Sequence, residues 1–386
     1  MSQPHLHFSR DEFIDRQSRV RTALSESNLD GLLLFRIEDM YWLTGLDTDG
    51  FYVFHCMYVG TDGALTYIAR RVDRGNVLYS SIIDDYREWL DDLDTPPSRT
   101  IKDMLVSHEM QGKRIGLQRD SMGLTAERYV ELTETLEGWC ELVPCSELVS
   151  NLRMVKSATE LAYLRKSGEI TDKICNVAIE ETRSGVFEGK VFGRVLQTIY
   201  ENDGDPPALR NPMGSGDSAP LGRYVTGRRV VAQNDQFKFE LGCGYRHYHT
   251  ANLFYVLTGP EVNPTYQRLC EAASEAIREV QTTARAGNTV GDLFESHRRV
   301  YAEYGLEEGI LFSCGYQMGI SFPPTWVGWP MIIASQPLVL EAGMTFFTHV
   351  VSRAEGVAFG LGEQFIVTEG QPEIITHVPR ELIVKD

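Results

Sequence analysis

Residues 236–256, QFKFELGCGYRHYHTANLFYV, bring together side chains that could do acid–base chemistry. The first half alternates, with Phe237 and Phe239 on one face and Lys238 and Glu240 on the other, which is the pattern of a half-buried strand. A carboxylate there is costly to bury unless another group pairs with it. Glu240 is therefore either a satisfied core residue or a base held in a pocket.

Polar side chains continue beyond a Gly-Cys-Gly interruption, where Arg246, His247 and His249 precede an apolar run. This pattern predicts two strands that meet at a turn. A histidine can exchange a proton near neutral pH, and an arginine can bind a carboxylate through two hydrogen bonds. The alternative is a pair of solvent-facing histidines. Because strand residues alternate faces, the pattern does not decide which of these side chains share a pocket with Glu240.

Length and composition indicate an ordinary globular protein of two domains, since 386 residues exceed the usual size of one core. The 37 Lys and Arg residues against 54 Asp and Glu give a net charge of −17, which argues against nucleic acid or an anionic membrane as a partner. Seven cysteines without a C-x-x-C spacing predict reduced thiols. With no apolar run that could span a bilayer and no signal peptide, we expect a soluble, cytoplasmic protein.

The first 150 residues alternate helical and β-like patterns, which predicts an α/β domain. We expect helices over residues 9–27, 77–90, 98–110 and 125–136, and strands over residues 31–35, 51–59, 64–68 and 114–117. Further helices are predicted over residues 160–182, 191–202 and 266–286.

Two local motifs resemble the creatinase and prolidase superfamily. LRMVKS at 152–157 resembles the domain junction of creatinases, prolidases and aminopeptidases P, and MYWLTG at 40–45 resembles an element of their N-terminal domain. The resemblance covers essentially the whole chain. It implies an α/β (α+β) fold, with an RNase H-like creatinase-type domain over residues 1–150. A pita-bread domain of two pseudo-symmetric halves follows over residues 151–386.

The peptidases of this superfamily bind two metal ions through five positions, which here hold Glu240, Ala251, Tyr316, His349 and Gly362. A hard divalent cation bridged by carboxylates is not held by one carboxylate and one imidazole. A shift of one residue would restore a glutamate at the last position, but alanine and tyrosine would remain. The resemblance therefore implies no metal and no other cofactor.

Metal-free members of this fold hydrolyse small nitrogen compounds. The blocks GSGDSAPLG, GYQMGISFPPTW and VPRELIVKD resemble ectoine hydrolases, whereas creatinases place a general-base histidine where Arg223 stands. The implied activity is metal-independent hydrolysis of a non-peptide C–N bond in a small zwitterionic compound, most simply the ring opening of ectoine or a related cyclic amidine. The acidic residue expected after Pro323-Pro324 is missing, which favours a relative of ectoine.

The resemblance and the residue types suggest roles. Glu240 could activate water, His349 or His249 could protonate the leaving nitrogen, and Tyr316 could stabilise the tetrahedral intermediate. The candidates for substrate binding are Arg223, Arg246, His247, Tyr52, Phe54, His55, Glu363 and Trp326.

In this family the N-terminal domain of one subunit covers the active site of the other, which implies a homodimer. The aromatic run over residues 51–55 is where we expect the residues that reach the partner. Two alternatives stay open, a metal-dependent Xaa-Pro dipeptidase or aminopeptidase P-like peptidase, and a non-catalytic pita-bread protein that binds a metabolite or a partner.

Overall fold

Contacts along the chain divide the protein after Arg153 into two units, Met1–Arg153 and Met154–Asp386. The computed structural model describes residues 3–90, 94–225 and 227–386. The boundary predicted after residue 150 lies three residues before this division. In the described part of the chain, no helix is both long enough and apolar enough to cross a membrane.

Unit 1 is a mixed sheet with helices. Its helices are α1 Arg10–Glu26, α2 Ile37–Thr44, α3 Arg74–Ser80, α4 Pro97–Ser107, α5 Ala126–Leu136 and α6 Leu148–Leu152. Its strands are β1 Gly31–Leu34, β2 Cys56–Gly60, β3 Leu65–Arg70, β4 Asp85–Trp89, β5 Arg114–Leu117 and β6 Glu141–Pro144, in the order β4-β3-β2-β1-β5-β6. Strand β1 is buried along its whole length and pairs antiparallel with β2 and parallel with β5.

Two of the elements predicted for unit 1 were wrong in part. The helix expected over 77–90 ends at Ser80, because Ser81 is extended and its hydroxyl returns to the carbonyl oxygen of Val77 at 2.7 Å. Residues 85–89 instead form the edge strand β4, which pairs parallel with β3. In the strand expected over 51–59, only the end from Cys56 onward is extended, since Gly50–Tyr52 is a 3-10 turn.

Unit 2 contains one large sheet covered by helices. Its helices are α7 Ala158–Glu181, α8 Glu188–Glu201, α9 Pro264–Thr283 and α10 Val290–Glu303. Its strands are β7 Met213–Ser215, β8 Gln236–Tyr245, β9 Tyr248–Thr258, β10 Gly315–Gln317, β11 Thr345–Ala354, β12 Val357–Ile366, β13 Glu373–Ile374 and β14 Ile383–Lys385.

The sheet of unit 2 has the order β10-β11-β12-β9-β8-β7, with β13 on β12 and β14 on β9. Each half therefore consists of two helices, a short edge strand and a long hairpin, and the two hairpins meet where Gly362 pairs with Leu253. This is the repeated α/β arrangement that the resemblance implied.

Helix α7 fixes one face of the β8–β9 hairpin. Its start is capped by Ser157 and Glu160, which bond each other's backbone N–H groups. Further along, the hydroxyls of Ser167 and Thr171 each lie 2.8 Å from the hydroxyl of Thr250 on β9. Because strand side chains alternate, Lys238 and Glu240 on β8 must point away from this helix, towards the other face of the sheet.

The hairpin turns at Arg246 and His247, whose φ angles of 53° and 64° are typical of a two-residue turn between antiparallel strands. The Gly-Cys-Gly segment is part of strand β8 rather than the turn. This turn sets the register in which Glu240 pairs with Leu253 and Gly244 with His249.

A buried glutamate, Glu188 at the start of α8, anchors the segment that carries Arg223. Its carboxylate accepts hydrogen bonds from the backbone N–H and hydroxyl of Ser215, at 2.9 and 2.6 Å, and from the N–H groups of Gly227 and Arg229, at 3.3 and 3.1 Å. Both ends of the segment 215–229 are thus held by one side chain.

We expect Glu188→Gln to lower the free energy of unfolding by about 1–3 kcal/mol, because an amide NH2 would face backbone donors that need an acceptor. Urea denaturation followed by circular dichroism measures this. Glu180→Gln, on the exposed side of α7, is the matched control and should unfold like the wild type. Equal stability of the two variants would contradict this role for Glu188.

Candidate active site

The face of the sheet opposite α7 carries a cluster of side chains in unit 2. Glu240 and Leu253 pair across β8 and β9, Gly242 pairs with Ala251, and His349 on β11 pairs with Gly362. The apolar part of the cluster consists of Ala208, Ala251, Leu253, Tyr316, Met318, Trp326 and Phe347. The positions predicted from the resemblance therefore converge, although most of them now carry apolar side chains.

Glu240 is the acidic group of this cluster. Burial raises the pKa of its carboxyl group, while the positive charges of Lys238 and Arg223 lower it again. Among the described residues its carboxylate accepts no side-chain hydrogen bond, so its oxygen atoms are available to a ligand or water. A carboxylate with a raised pKa is a better base than an ordinary one and, once protonated, can return the proton.

Tyr316 and Trp326 form a hydrogen-bonded pair beside Glu240. The indole Nε1–H of Trp326 donates to the hydroxyl oxygen of Tyr316 at 2.9 Å, which leaves the phenolic O–H of Tyr316 free to donate elsewhere. Burial and the charge of Glu240 raise the pKa of Tyr316, so it remains a phenol. Gly242 permits this arrangement, because a Cβ atom there would lie 3.1 Å from the indole ring.

His349 is half-buried, with ring centroids 5.7 Å from Tyr316 and 5.8 Å from Phe347. Burial lowers the pKa of its imidazole to about 4, so the ring is neutral at pH 7. A hydrogen bond between the ring and its own backbone acts in the opposite direction on this pKa. The neutral ring can still donate or accept one further hydrogen bond, but it is not a strong acid.

His249 shares the face of Glu240, but its ring is already committed. Its Nδ1 lies 2.9 Å from the carbonyl oxygen of His247, and its Nε2 accepts the backbone N–H of Ala208 at 3.0 Å. Nδ1 must carry the proton, and Nε2 has none to give. Burial also lowers the pKa of this imidazole to about 4. The structure contradicts the predicted role of His249 as a proton donor and assigns it to holding the 205–208 segment.

The turn residues Arg246 and His247 are not brought to Glu240. Six positions separate Arg246 from Glu240, roughly 20 Å along an extended strand. The guanidinium of Arg246 lies 3.2 Å from the carboxylate of Asp203, and the ring of His247 stacks on Phe322 at 4.1 Å. Their predicted roles in substrate binding stay predictions.

Glu363 lies on the opposite face of β12 and is also a correction. Its carboxylate pairs with Arg380 at 2.5 Å and accepts a hydrogen bond from Gln281 of α9 at 2.7 Å. It is buried on the helix side, so it is neither a ligand nor a substrate contact. Alternation alone explains this, because its neighbour Gly362 is the residue that faces the cluster.

The ring of Phe347 takes the space where a side chain at 362 would project. A Cβ atom at Gly362 would lie 2.7 Å from Cζ of Phe347 and 2.8 Å from Cβ of Leu253. Within residues 3–90, 94–225 and 227–386, no three His, Cys, Asp or Glu side chains are grouped so that they could hold a metal ion. One carboxylate and a half-buried imidazole do not fit the paired hard cations of the peptidases.

The substrate-binding residues predicted in unit 1 differ in how exposed their side chains are. Phe54 belongs to the core of that unit, and His55 is fully buried, with its ring nitrogens 2.8 Å from the carbonyl oxygen of Phe35 and 3.2 Å from the hydroxyl of Tyr67. These two side chains cannot reach a substrate, so their predicted binding roles are wrong. Tyr52 is 73% exposed, and its predicted role stays a prediction.

Two residues near Glu240 were missed as site residues. Lys238 follows from the strand alternation itself, since it lies two residues before Glu240 on the same face. Asn211 gives no such signal, because its neighbours come from distant parts of the chain. Its side-chain oxygen accepts the N–H of Gly242 at 3.0 Å, and its Nδ2 is buried with no hydrogen-bond partner in the described part of the chain.

Comparisons with known proteins agree with this fold. Residues 162–369 match metallopeptidase family M24, and residues 16–155 match the creatinase/prolidase N-terminal domain. The ectoine hydrolase of Halomonas elongata is 26% identical, with 100% of both chains covered. The Xaa-Pro dipeptidase of Pyrococcus furiosus is 25% identical over 63% of this chain and 69% of its own. A dipeptidase structure from Mycobacterium ulcerans superposes with a TM-score of 0.85 at 21% identity, covering 98% of this chain and 100% of its own.

We expect the free energy of unfolding of His249→Gln to decrease less at acid pH than that of the wild type. The folded protein keeps this imidazole neutral down to about pH 4, whereas the unfolded chain protonates it near its ordinary value of 6.5. Stability is therefore lost as the pH falls from 6.5 towards 4. Between pH 7 and pH 5, urea denaturation should show a decrease smaller than in the wild type by up to about 2 kcal/mol. The exposed His5→Gln variant is the control, and an unchanged decrease in His249→Gln would contradict the assignment.

Proposed function

The chain belongs to metallopeptidase family M24, and from this premise we propose that it is a metal-independent hydrolase of a non-peptide C–N bond. Its substrate is a small zwitterionic nitrogen compound, with ectoine or a related cyclic amidine as the first choice. The full-length similarity to an ectoine hydrolase, at 26% identity, supports this choice over a peptide substrate.

One observation carries the proposal. Of the side chains at the five family positions, only Glu240 is a carboxylate, and the ring of Phe347 occupies the space beside Gly362. The remaining chemistry in the cluster is that of a carboxylate, a neutral imidazole and a phenol. These groups can move protons and donate hydrogen bonds, but they cannot hold a pair of bridged cations.

Water activation is the proposed task of Glu240. Its carboxylate takes a proton from water while the water oxygen forms a bond to the amidine carbon of the substrate. From a protonated amidine, the tetrahedral intermediate then breaks one C–N bond, and the protonated Glu240 returns its proton to the departing nitrogen. The hydroxyl group of the intermediate loses its own proton to solvent as the C=O bond of the amide forms. The products are an amide and an amine, and Glu240 is again a carboxylate. A raised pKa favours this exchange, because it makes the carboxyl group a better base and a competent acid within one cycle.

Tyr316 and His349 would stabilise the intermediate. Since Trp326 donates to the oxygen of Tyr316, the phenolic O–H is directed to another acceptor, which we take to be the developing oxyanion. The neutral ring of His349 lies beside Tyr316 and could hydrogen-bond a substrate nitrogen. With His249 committed to Ala208, the proton for the leaving group comes from Glu240 rather than from a histidine.

The remaining assignments concern binding and assembly. Arg223 would bind the carboxylate of the substrate, because its charge acts on both Glu240 and Tyr316. We further propose a homodimer in which the N-terminal domain of one subunit covers the active site of the other, with the exposed Tyr52 as the reaching residue. A cytoplasmic location suits the free thiols of the chain.

The substrate panel is the direct test. Purified enzyme is incubated with ectoine, hydroxyectoine, creatine and Xaa-Pro dipeptides, with and without chelator, and products are identified by mass. We expect one of the first two compounds to gain a water molecule, with rates unaffected by chelator and no stoichiometric metal by elemental analysis. About two bound ions per chain and chelator-sensitive cleavage of dipeptides would favour the peptidase. Saturable binding without any turnover would favour the non-catalytic alternative.

We expect Glu240→Gln to lower kcat by roughly 10²–10⁴-fold, the usual effect of a lost general base, with little change in melting temperature. Initial rates on the substrate that the panel identifies, together with thermal denaturation, measure both quantities. Glu369→Gln, an exposed carboxylate of the same unit, is the control and should turn over normally. A folded Glu240→Gln enzyme with near-normal kcat would contradict this mechanism.

A further inference from the structure

Lys238 is a buried lysine on the same face of β8 as Glu240. Its side chain is 3% exposed. Its ammonium donates hydrogen bonds to the carbonyl oxygen atoms of Leu221 at 2.9 Å and Gly222 at 3.3 Å. A buried ammonium must find acceptors for its donors, and here backbone carbonyls supply them.

These two carbonyls belong to the residues directly before Arg223. Glu188 anchors the wider segment at Ser215 and Arg229, but neither anchor reaches the middle of it. Lys238 ties this middle part to strand β8, and Arg353 on β11 donates a hydrogen bond to the neighbouring carbonyl oxygen of Pro220 at 3.1 Å. Arg223 is itself exposed, yet its positive charge lowers the pKa of both Glu240 and Tyr316, so the tied loop holds a guanidinium within electrostatic range of the cluster.

We propose that Lys238 is a positioning residue, which holds the Leu221–Gly222 carbonyls so that Arg223 can bind the carboxylate of the substrate. This inference rests on the proposed function, and it restricts the substrate to compounds that carry an anionic group beside the amidine. Two cations, Lys238 and Arg223, act on a single carboxylate, that of Glu240. One positive charge is therefore left to be balanced by a ligand.

The charge of Lys238 has a second consequence. The titratable groups that act electrostatically with Glu240 are Lys238 on its own strand, Arg223 on the loop, Tyr255 on β9 and Tyr316 on β10. Both tyrosines are neutral, because burial raises the pKa of each above its ordinary value. Removing the ammonium should therefore raise the pKa of Glu240, since one of its two opposing cations is lost. The acidic limb of kcat/KM would then move to higher pH.

The test uses Lys238→Met and Lys238→Gln, with the exposed Lys190→Met as control. In the absence of substrate, we expect faster tryptic cleavage after Arg223 in Lys238→Met, measured by mass, with less acceleration in Lys238→Gln, which keeps one donor. With substrate, KM should rise by roughly 10- to 100-fold, the loss expected for one charged hydrogen-bonding contact. The KM of an uncharged amide analogue should change little. In an Arg223→Gln background, Lys238→Met should add little, because both act on one contact.

The outcomes separate this inference from the function on which it rests. If the wild type hydrolyses its substrate but both Lys238 variants, folded by circular dichroism, match it in cleavage rate, KM and pH profile, the inference is wrong and the function stands. If the wild type turns over nothing in the panel, the function fails, while cleavage after Arg223 still reports on the loop. Additive effects of Lys238→Met and Arg223→Gln on KM would also overturn the positioning role.

Discussion

A carboxylate placed among apolar side chains is the constraint on which the rest of unit 2 depends. Glu240 lies against Leu253, Tyr316 and their neighbours, where an uncompensated charge would be expensive. Two positive charges offset part of this cost, those of Lys238 and of Arg223. Because the compensation is incomplete, the carboxyl group keeps a raised pKa, which makes it a stronger base than an ordinary glutamate.

The chain keeps the fold of metallopeptidase family M24, but apolar side chains occupy the space around the five family positions. Two glycines show how this is done. Gly362 admits the ring of Phe347, and Gly242 admits the indole of Trp326, which in turn orients Tyr316. The ring of Phe347 occupies space that a side chain at position 362 would need, and the indole of Trp326 occupies space that a side chain at position 242 would need. Packing and hydrogen bonding fill this part of the sheet face, and the side chains that remain there are a carboxylate, an imidazole and a phenol.

The histidines of unit 2 illustrate why residue type alone is a weak guide to role. His249, His297 and His349 are all shifted to low pKa by burial, so all three are neutral at pH 7. They differ in what their nitrogen atoms contact. His249 is fixed by two backbone groups of other residues, His297 is enclosed on α10 beside Tyr301, and His349 lies in the cluster beside Tyr316 with a hydrogen bond to its own backbone.

The sequence by itself determined the two-domain α/β architecture and the β8–β9 hairpin, because these depend on periodicity and on spacing along the chain. Alternation even placed Lys238 beside Glu240. Tertiary structure alone decided which polar residues share a pocket. Glu363 faces Arg380 on the helix side, His249 meets the backbone of Ala208, and His55 lies within the core of unit 1. Each outcome depends on a partner that is far away in sequence. A strand pattern of period two predicts that successive side chains lie on opposite faces of the sheet, but it does not predict which groups pack against each face.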